Sequence, residues 1–174
     1  MAQIIFVSHA EDPIRNAVLW QVYHQLAPQA ANPHSFWLGS QREERDTPQP
    51  IVFAPQNRPT TFKALLSIQG RQVGVLCCIP QLTTILNGIE MLAGEGAEII
   101  VCGMQSVNEL SEQFLRGGLQ RIGHEYMDTI NLRGRIPNNA PIDIDPNALR
   151  DGNVFNDIIQ NIMARIMQLI NQNN

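Results

Sequence analysis

The chain has 174 residues and a net charge of −4, which suits one domain built around a single core. Charged residues are sparse at 16% and the arginines are scattered, so there is no basic stripe to meet phosphates and nucleic-acid binding is not expected. No run approaches the roughly 20 apolar residues of a membrane span, and MAQIIFVSHAED lacks the basic region of a secretion signal.

Three cysteines, two of them adjacent (Cys77 and Cys78), make a poor disulfide framework and fit a reduced, cytoplasmic protein. The elements then follow in chain order. IIFVS (Ile4 to Ser8) is an apolar run of strand length. DPIRNAVLWQVYHQLAP follows, with Asp12 as a candidate cap and Pro13 where its missing N–H costs nothing. Ile14, Val18, Leu19, Val22, Tyr23 and Leu26 recur at helical spacing. SFWL (Ser35 to Leu38) reads as a second strand ending at Gly39. From Ser40 to Pro59 the chain is rich in proline, glutamine and charge and reads as a long loop, with a short edge strand at Ile51 to Phe53.

A short helix is expected around Thr61 to Ser67. VGVLCCI (Val73 to Ile79) is apolar on both faces, as a strand covered by helices on each side must be. A helix starting near Pro80 carries Leu82, Ile85, Leu86, Ile89 and Leu92 on one face, and Gly94 and Gly96 suit its end. EIIVC, the helix SVNELSEQFLR and a last short strand LQRI complete the alternation. This rhythm predicts an α/β fold, a mostly parallel sheet of about five strands with helices on both faces, over residues 1–133. Residues 134–153 read as an irregular connector. Residues 154–174 read as an amphipathic helix with Phe155, Ile158, Ile159, Ile162, Met163, Ile166 and Ile170 in one stripe. That helix covers either its own domain or a neighbouring subunit, so a homo-oligomer is one expectation.

In open α/β sheets ligands gather at the carboxyl ends of the strands. The predicted topology places Ser8 and His9, Gly39, Cys78, Cys102 with Gly103 and Met104, and His124 on that rim. Cys102 stands at a strand end before a helix N-terminus, a setting that lowers a thiol pKa, and His9 or His124 would assist it. Ser8, Gly39, Gly103 and Met104 are the candidate binding positions. Cysteines in strands are also commonly inert core residues, and Cys77 and Cys78 read that way, pointing to opposite faces. No dinucleotide fingerprint, P-loop or G-x-S-x-G is present, and Asp143, Asp145 and Asn147 mimic a calcium loop that fails at Ala148 and Val154. No cofactor and no metal is therefore expected.

With these residues in view, Val73 to about Gly123 resembles the DsrE/DsrF-like family of sulfur-relay proteins, through MLAGEGAEIIVCG and NELSEQFLRGGLQRIG. The N-terminal IIFVSHAEDPIRNAVLWQVYHQLA suits the first strand and helix of the same fold. The resemblance covers about half the chain. It implies a homo-oligomer that exchanges sulfane sulfur with a protein partner, and it places the sulfur-carrying cysteine on Cys102. The chain departs from the family in its Ser40–Pro59 insertion, its connector and its C-terminal helix. Two alternatives stand beside this reading. One is a non-catalytic binding or assembly module on the same scaffold. The other is a chelatase-like enzyme, since FVSHAEDP resembles the first loop of small cobalt or iron chelatases, with His9 in the metal-facing place.

Overall fold

The structure is a computed structural model and describes residues 1–9, 11–55, 58–105, 109–132 and 156–172. The connector expected at 134–153, with its calcium-loop mimic, lies outside the described residues. The elements are β1 (Gln3–Ser8), α1 (Asp12–Leu26), β2 (Ala31–Leu38), β3 (Gln41–Arg45), β4 (Phe62–Ile68), β5 (Arg71–Cys77), α2 (Leu82–Gly94), β6 (Ile99–Met104), α3 (Glu109–Arg121), β7 (Glu125–Asn131) and α4 (Asn156–Gln172).

The α/β class agrees with the sequence, but the sheet is mixed and larger than expected. It has seven strands in the order β3-β2-β4-β5-β6-β1-β7. The pairings β5–β6, β6–β1 and β1–β7 are parallel, whereas β3–β2, β2–β4 and β4–β5 are antiparallel. Two elements account for the difference. The segment read as a helix around Thr61–Ser67 is strand β4, in which Phe62, Ala64, Leu66 and Ile68 alternate with Lys63, Leu65 and Ser67, a period of two. It turns into β5 through Gln69 and Gly70, both at positive φ (51° and 81°), the geometry of a two-residue type I′ hairpin. The Ser40–Pro59 loop contributes β3, which pairs with β2 from Leu38↔Gln41 onward. The edge strand expected at Ile51–Phe53 amounts to a single bridge between Phe53 and Pro59.

LQRI, read as the last strand, is the end of α3. Gly123 at φ 76° stops that helix, with His124 N–H donating back to the Leu119 carbonyl at 2.9 Å, a glycine-terminated end. The true last strand follows it.

Two cores lie on the two faces of the sheet. On one face α1 and α4 cover Ile5, Val7, Val75 and Val101; on the other α2 and α3 cover Ile4, Phe6, Leu76 and Cys102. The expected stripe of α1 is buried throughout. Its Trp20 and Tyr23 meet Phe36 and Phe62 in an aromatic cluster, with Trp20 and Phe62 centroids 4.2 Å apart. Helix α4 buries Ile158, Ile159, Ile162, Met163, Ile166, Leu169 and Ile170 into this same core, within the chain. The remainder of the 40–59 segment is laid against α1 by polar contacts. Trp20 Nε1 donates to the Thr60 carbonyl at 2.9 Å, Asn16 Nδ2 to that of Pro59 at 3.3 Å, and Gln49 N–H to the Tyr23 hydroxyl at 2.8 Å.

Candidate functional site

The parallel strands bring their carboxyl ends to one rim. Ser8 pairs with Met104 on one side and Asn131 on the other. Leu76 pairs with Cys102, so Cys78, two residues further along β5's path, falls beside Met104. Strand β2 runs the same way as β5, being separated from it by two antiparallel pairings, and its exit at Gly39 reaches this rim too.

His124 does not. It precedes β7 instead of following a strand, so it sits at the opposite rim, where its Nδ1 accepts the Ala2 N–H at 3.2 Å. Burial holds its pKa below the ordinary histidine value. The chain-order expectation failed because the strand assigned before it is helical.

A cavity of about 370 Å³ opens on the rim between β4, β5 and the first turns of α2, within the usual range for small-molecule sites. Gly39, Thr61, Lys63 and Cys78 line its sheet side, and Thr84, Asn87 and Met91 its helix side. Helix α2 comes this close because Gly88 has no side chain: a Cβ there would stand 2.8 Å from both δ carbons of Leu76. A second hollow of about 310 Å³ lies next to it between α2 and α3, with Met104, Leu82 and Phe114 in its wall.

The three cysteines have separate environments. Cys77 is buried on the α1 face, and burial pushes its thiol pKa up. Cys102 is wholly buried on the α2 face. Its thiol is pushed well above the ordinary value, first by burial and then by its hydrogen bond with Cys78. Cys78 lies one residue past the end of β5, half-buried, with its side chain on the cavity. Its thiol is held below the ordinary value, chiefly because Cys102 donates a hydrogen bond to it; burial opposes this, and the charges of Arg15 and Lys63 reinforce it. The single hydrogen of Cys102 has a second acceptor, the Gly103 carbonyl 3.4 Å from its sulfur. Cys78 is half-buried whereas Cys102 is wholly buried, so burial opposes the thiolate more strongly at Cys102.

Cys102, the expected site residue, is buried in the core, and Cys78, expected to be inert, is half-buried and lines the cavity. The signal available in the sequence was Pro80: a proline two residues on, with Ile79 held extended before it, ends the strand early and leaves Cys78 at the rim.

The other expected residues have structural partners. His9 is buried; its Nδ1 accepts the Glu11 N–H at 2.9 Å and its carbonyl accepts from the Arg15 guanidinium at 3.0 Å. It thereby shapes the turn into α1 and is not part of the cavity wall. Ser8 is buried and donates to the Gln105 carbonyl at 3.1 Å. Gly103, expected to let a ligand approach, faces α1 instead. The space a Cβ would fill is taken by Leu19 and Arg15, at 2.8 and 2.9 Å. Gly39 does line the cavity, and Met104 lines the adjoining hollow. Lys63 was not anticipated, because its segment was read as a helix.

Among the described residues no group of histidine, cysteine and acidic side chains is arranged to hold a metal ion, and no helix is long and apolar enough to cross a membrane. In comparison with known proteins, the chain matches no family model, no curated sequence and no solved structure.

Proposed function

We propose that this chain is a cysteine-dependent sulfur carrier on a DsrE-like α/β scaffold, with Cys78 as the carrying residue. The observation that supports this reading is a half-buried Cys78 that lines a cavity on the rim and packs on the core cluster that holds the buried Cys102. Only a thiolate attacks sulfur, and a depressed pKa raises the thiolate fraction near neutrality. The Cys78 thiolate attacks the outer sulfur of a donor persulfide R–S–SH. The donor S–S bond breaks, R–S⁻ leaves with the electron pair, and Cys78–S–SH remains. The reverse step on an acceptor thiolate discharges the carrier. Neither direction requires a net oxidant or reductant. Cys102 is a positioning residue, lying in the core cluster on which Cys78 packs, where its hydrogen bonding favours the Cys78 thiolate in the resting state.

A protein partner would dock over the same end of the molecule, where Ile79, Leu82 and Phe114 stand exposed beside the two hollows. The same surface favours the second reading, a binding module without covalent chemistry. Incubating the reduced protein with cysteine persulfide and mapping the product by mass spectrometry separates the two. Sulfur transfer predicts one added sulfur atom on the peptide containing Cys78, absent in Cys78→Ser and diminished in Cys102→Ala. Addition at Cys102 instead overturns the assignment to Cys78, and none at any cysteine leaves the binding-module reading.

A further inference from the structure

Lys63 is the only lysine in the chain, and its position is unusual for a lysine. It lies in the third strand from one edge of the sheet, half-buried, between the cross-strand neighbours Trp37 and Leu76. Among the described residues six arginines are ion-paired to carboxylates: Arg15, Arg42, Arg45, Arg71, Arg116 and Arg165. Among the described residues Lys63 has no carboxylate within ion-pair distance, and no acidic residue lines the cavity it borders. An ammonium group drawn partly out of water is costly unless a counter-charge is supplied, and in this wall only Cys78, when it is a thiolate, can carry negative charge. Apart from Lys63 and the Cys78 thiol, the polar groups of the wall, Thr61, Thr84 and Asn87, are neutral donors and acceptors, and Trp37, Ile79 and Met91 provide an apolar surface.

We infer that the cavity between β4, β5 and α2 is a binding site for a small organic monoanion of the carboxylate class. Lys63 pairs with the carboxylate, and the apolar body of the ligand lies against Trp37 and Met91. The inference rests on the cavity and Lys63, not on sulfur transfer. Combined with sulfur transfer, it identifies the donor as a low-molecular-weight persulfide that carries a carboxylate, held with its reactive sulfur facing Cys78.

Benzoate is a suitable probe, with benzamide as its uncharged isostere, and binding is followed by tryptophan fluorescence with Trp37→Phe as the control that assigns the signal. Because Lys63 is the sole lysine, acetylation of the native protein reads its accessibility directly by peptide mass spectrometry. The inference predicts that benzoate quenches Trp37 saturably, slows Lys63 acetylation and binds at least about tenfold more tightly than benzamide, as loss of one charge-assisted hydrogen bond implies. It predicts a similar loss in Lys63→Met, retention in Lys63→Arg, and benzoate binding at least as tight in Cys78→Ser, which takes a titratable anion out of the wall. Equal affinity for benzoate and benzamide, or no protection of Lys63 in the wild-type protein, overturns it. Binding that persists in Cys78→Ser, in a protein that transfers no sulfur, leaves the anion site standing while the carrier reading falls.

Discussion

Replacing Ile162 by alanine tests how the C-terminal helix belongs to the fold. Ile162 is wholly buried in the core shared by α1, α4 and the sheet. Truncation removes three carbons that had been withdrawn from water and leaves a void that close-packed neighbours only partly refill, a change worth about 2–5 kcal/mol. Against a total stability of about 5–15 kcal/mol for a domain of this kind, the single variant stays folded with a clearly lower urea midpoint. The pair Ile162→Ala with Ile166→Ala, two buried positions one turn apart, brings the chain close to its unfolding threshold. Gln160→Ala is the control, since that residue is exposed and reaches only Gln25 at 3.2 Å, and it shifts stability by less than about 0.5 kcal/mol. The assay is urea denaturation followed by tryptophan fluorescence, at two protein concentrations tenfold apart. An Ile162→Ala variant indistinguishable from wild type would refute the packing described. A midpoint that rises with protein concentration would show that the helix is held by a second copy, because only association makes stability depend on concentration.

Three further outcomes follow from the structure. Gly103→Ala destabilises the protein by about 1–3 kcal/mol in urea melts, because its new methyl group meets Leu19 and Arg15 inside 3 Å and Arg15 is fixed by its bond to the His9 carbonyl; an unchanged midpoint would show that α1 can yield. Stability falls as pH drops through about 6.5, since burial, aided by the charge of Arg45, holds the pKa of His34 below the ordinary histidine value. There the unfolded chain takes up a proton that the folded one refuses. Melts between pH 7.5 and 5.5 read this, and His34→Gln flattens the slope, keeping an acceptor for the Tyr23 hydroxyl 2.9 Å away; an equal slope in both proteins contradicts the assignment. Cys102→Ala removes the hydrogen-bond donor to Cys78, so the pH midpoint of Cys78 alkylation moves up towards that of an ordinary thiol, and no movement means the two sulfurs do not interact.

The sequence foreshadowed β1, α1, β5, α2, β6 and α4 because their apolar residues carry a clear period or an unbroken run of strand length. It misled at β4, where FKALLSI is short and mostly apolar, so that a period of two and one of 3.6 are hard to separate. The Gln69–Gly70 turn was the decisive clue there, a two-residue glycine-containing loop between alternating runs, and it marks a hairpin by its need for positive φ. The error spread: without β4 as a strand, Lys63 had no place on the sheet and the antiparallel half of the fold was invisible. At the rim, the strand-end rule singled out Cys102, which is buried, over Cys78, which lines the cavity that opens there. Whether a cysteine is core or rim depends on where its strand stops relative to its neighbours, and that is set by the register between β5 and β6, a long-range property. His124 was misplaced for a related reason. LQRI has strand-like composition, yet Leu115 and Leu119 are buried at helical spacing under α3, and tertiary packing overrode the local preference.

The central claim is that Cys78, and not Cys102, is the activated thiol. The most direct test is alkylation of the native, reduced protein across pH, with the extent of modification read separately at each cysteine by mass spectrometry. The account predicts that Cys78 reacts first, with a pH midpoint below that of a free thiol, while Cys77 and Cys102 stay unmodified until denaturant is added. Reaction at Cys102 ahead of Cys78, or a Cys78 that reacts only after unfolding, would contradict it.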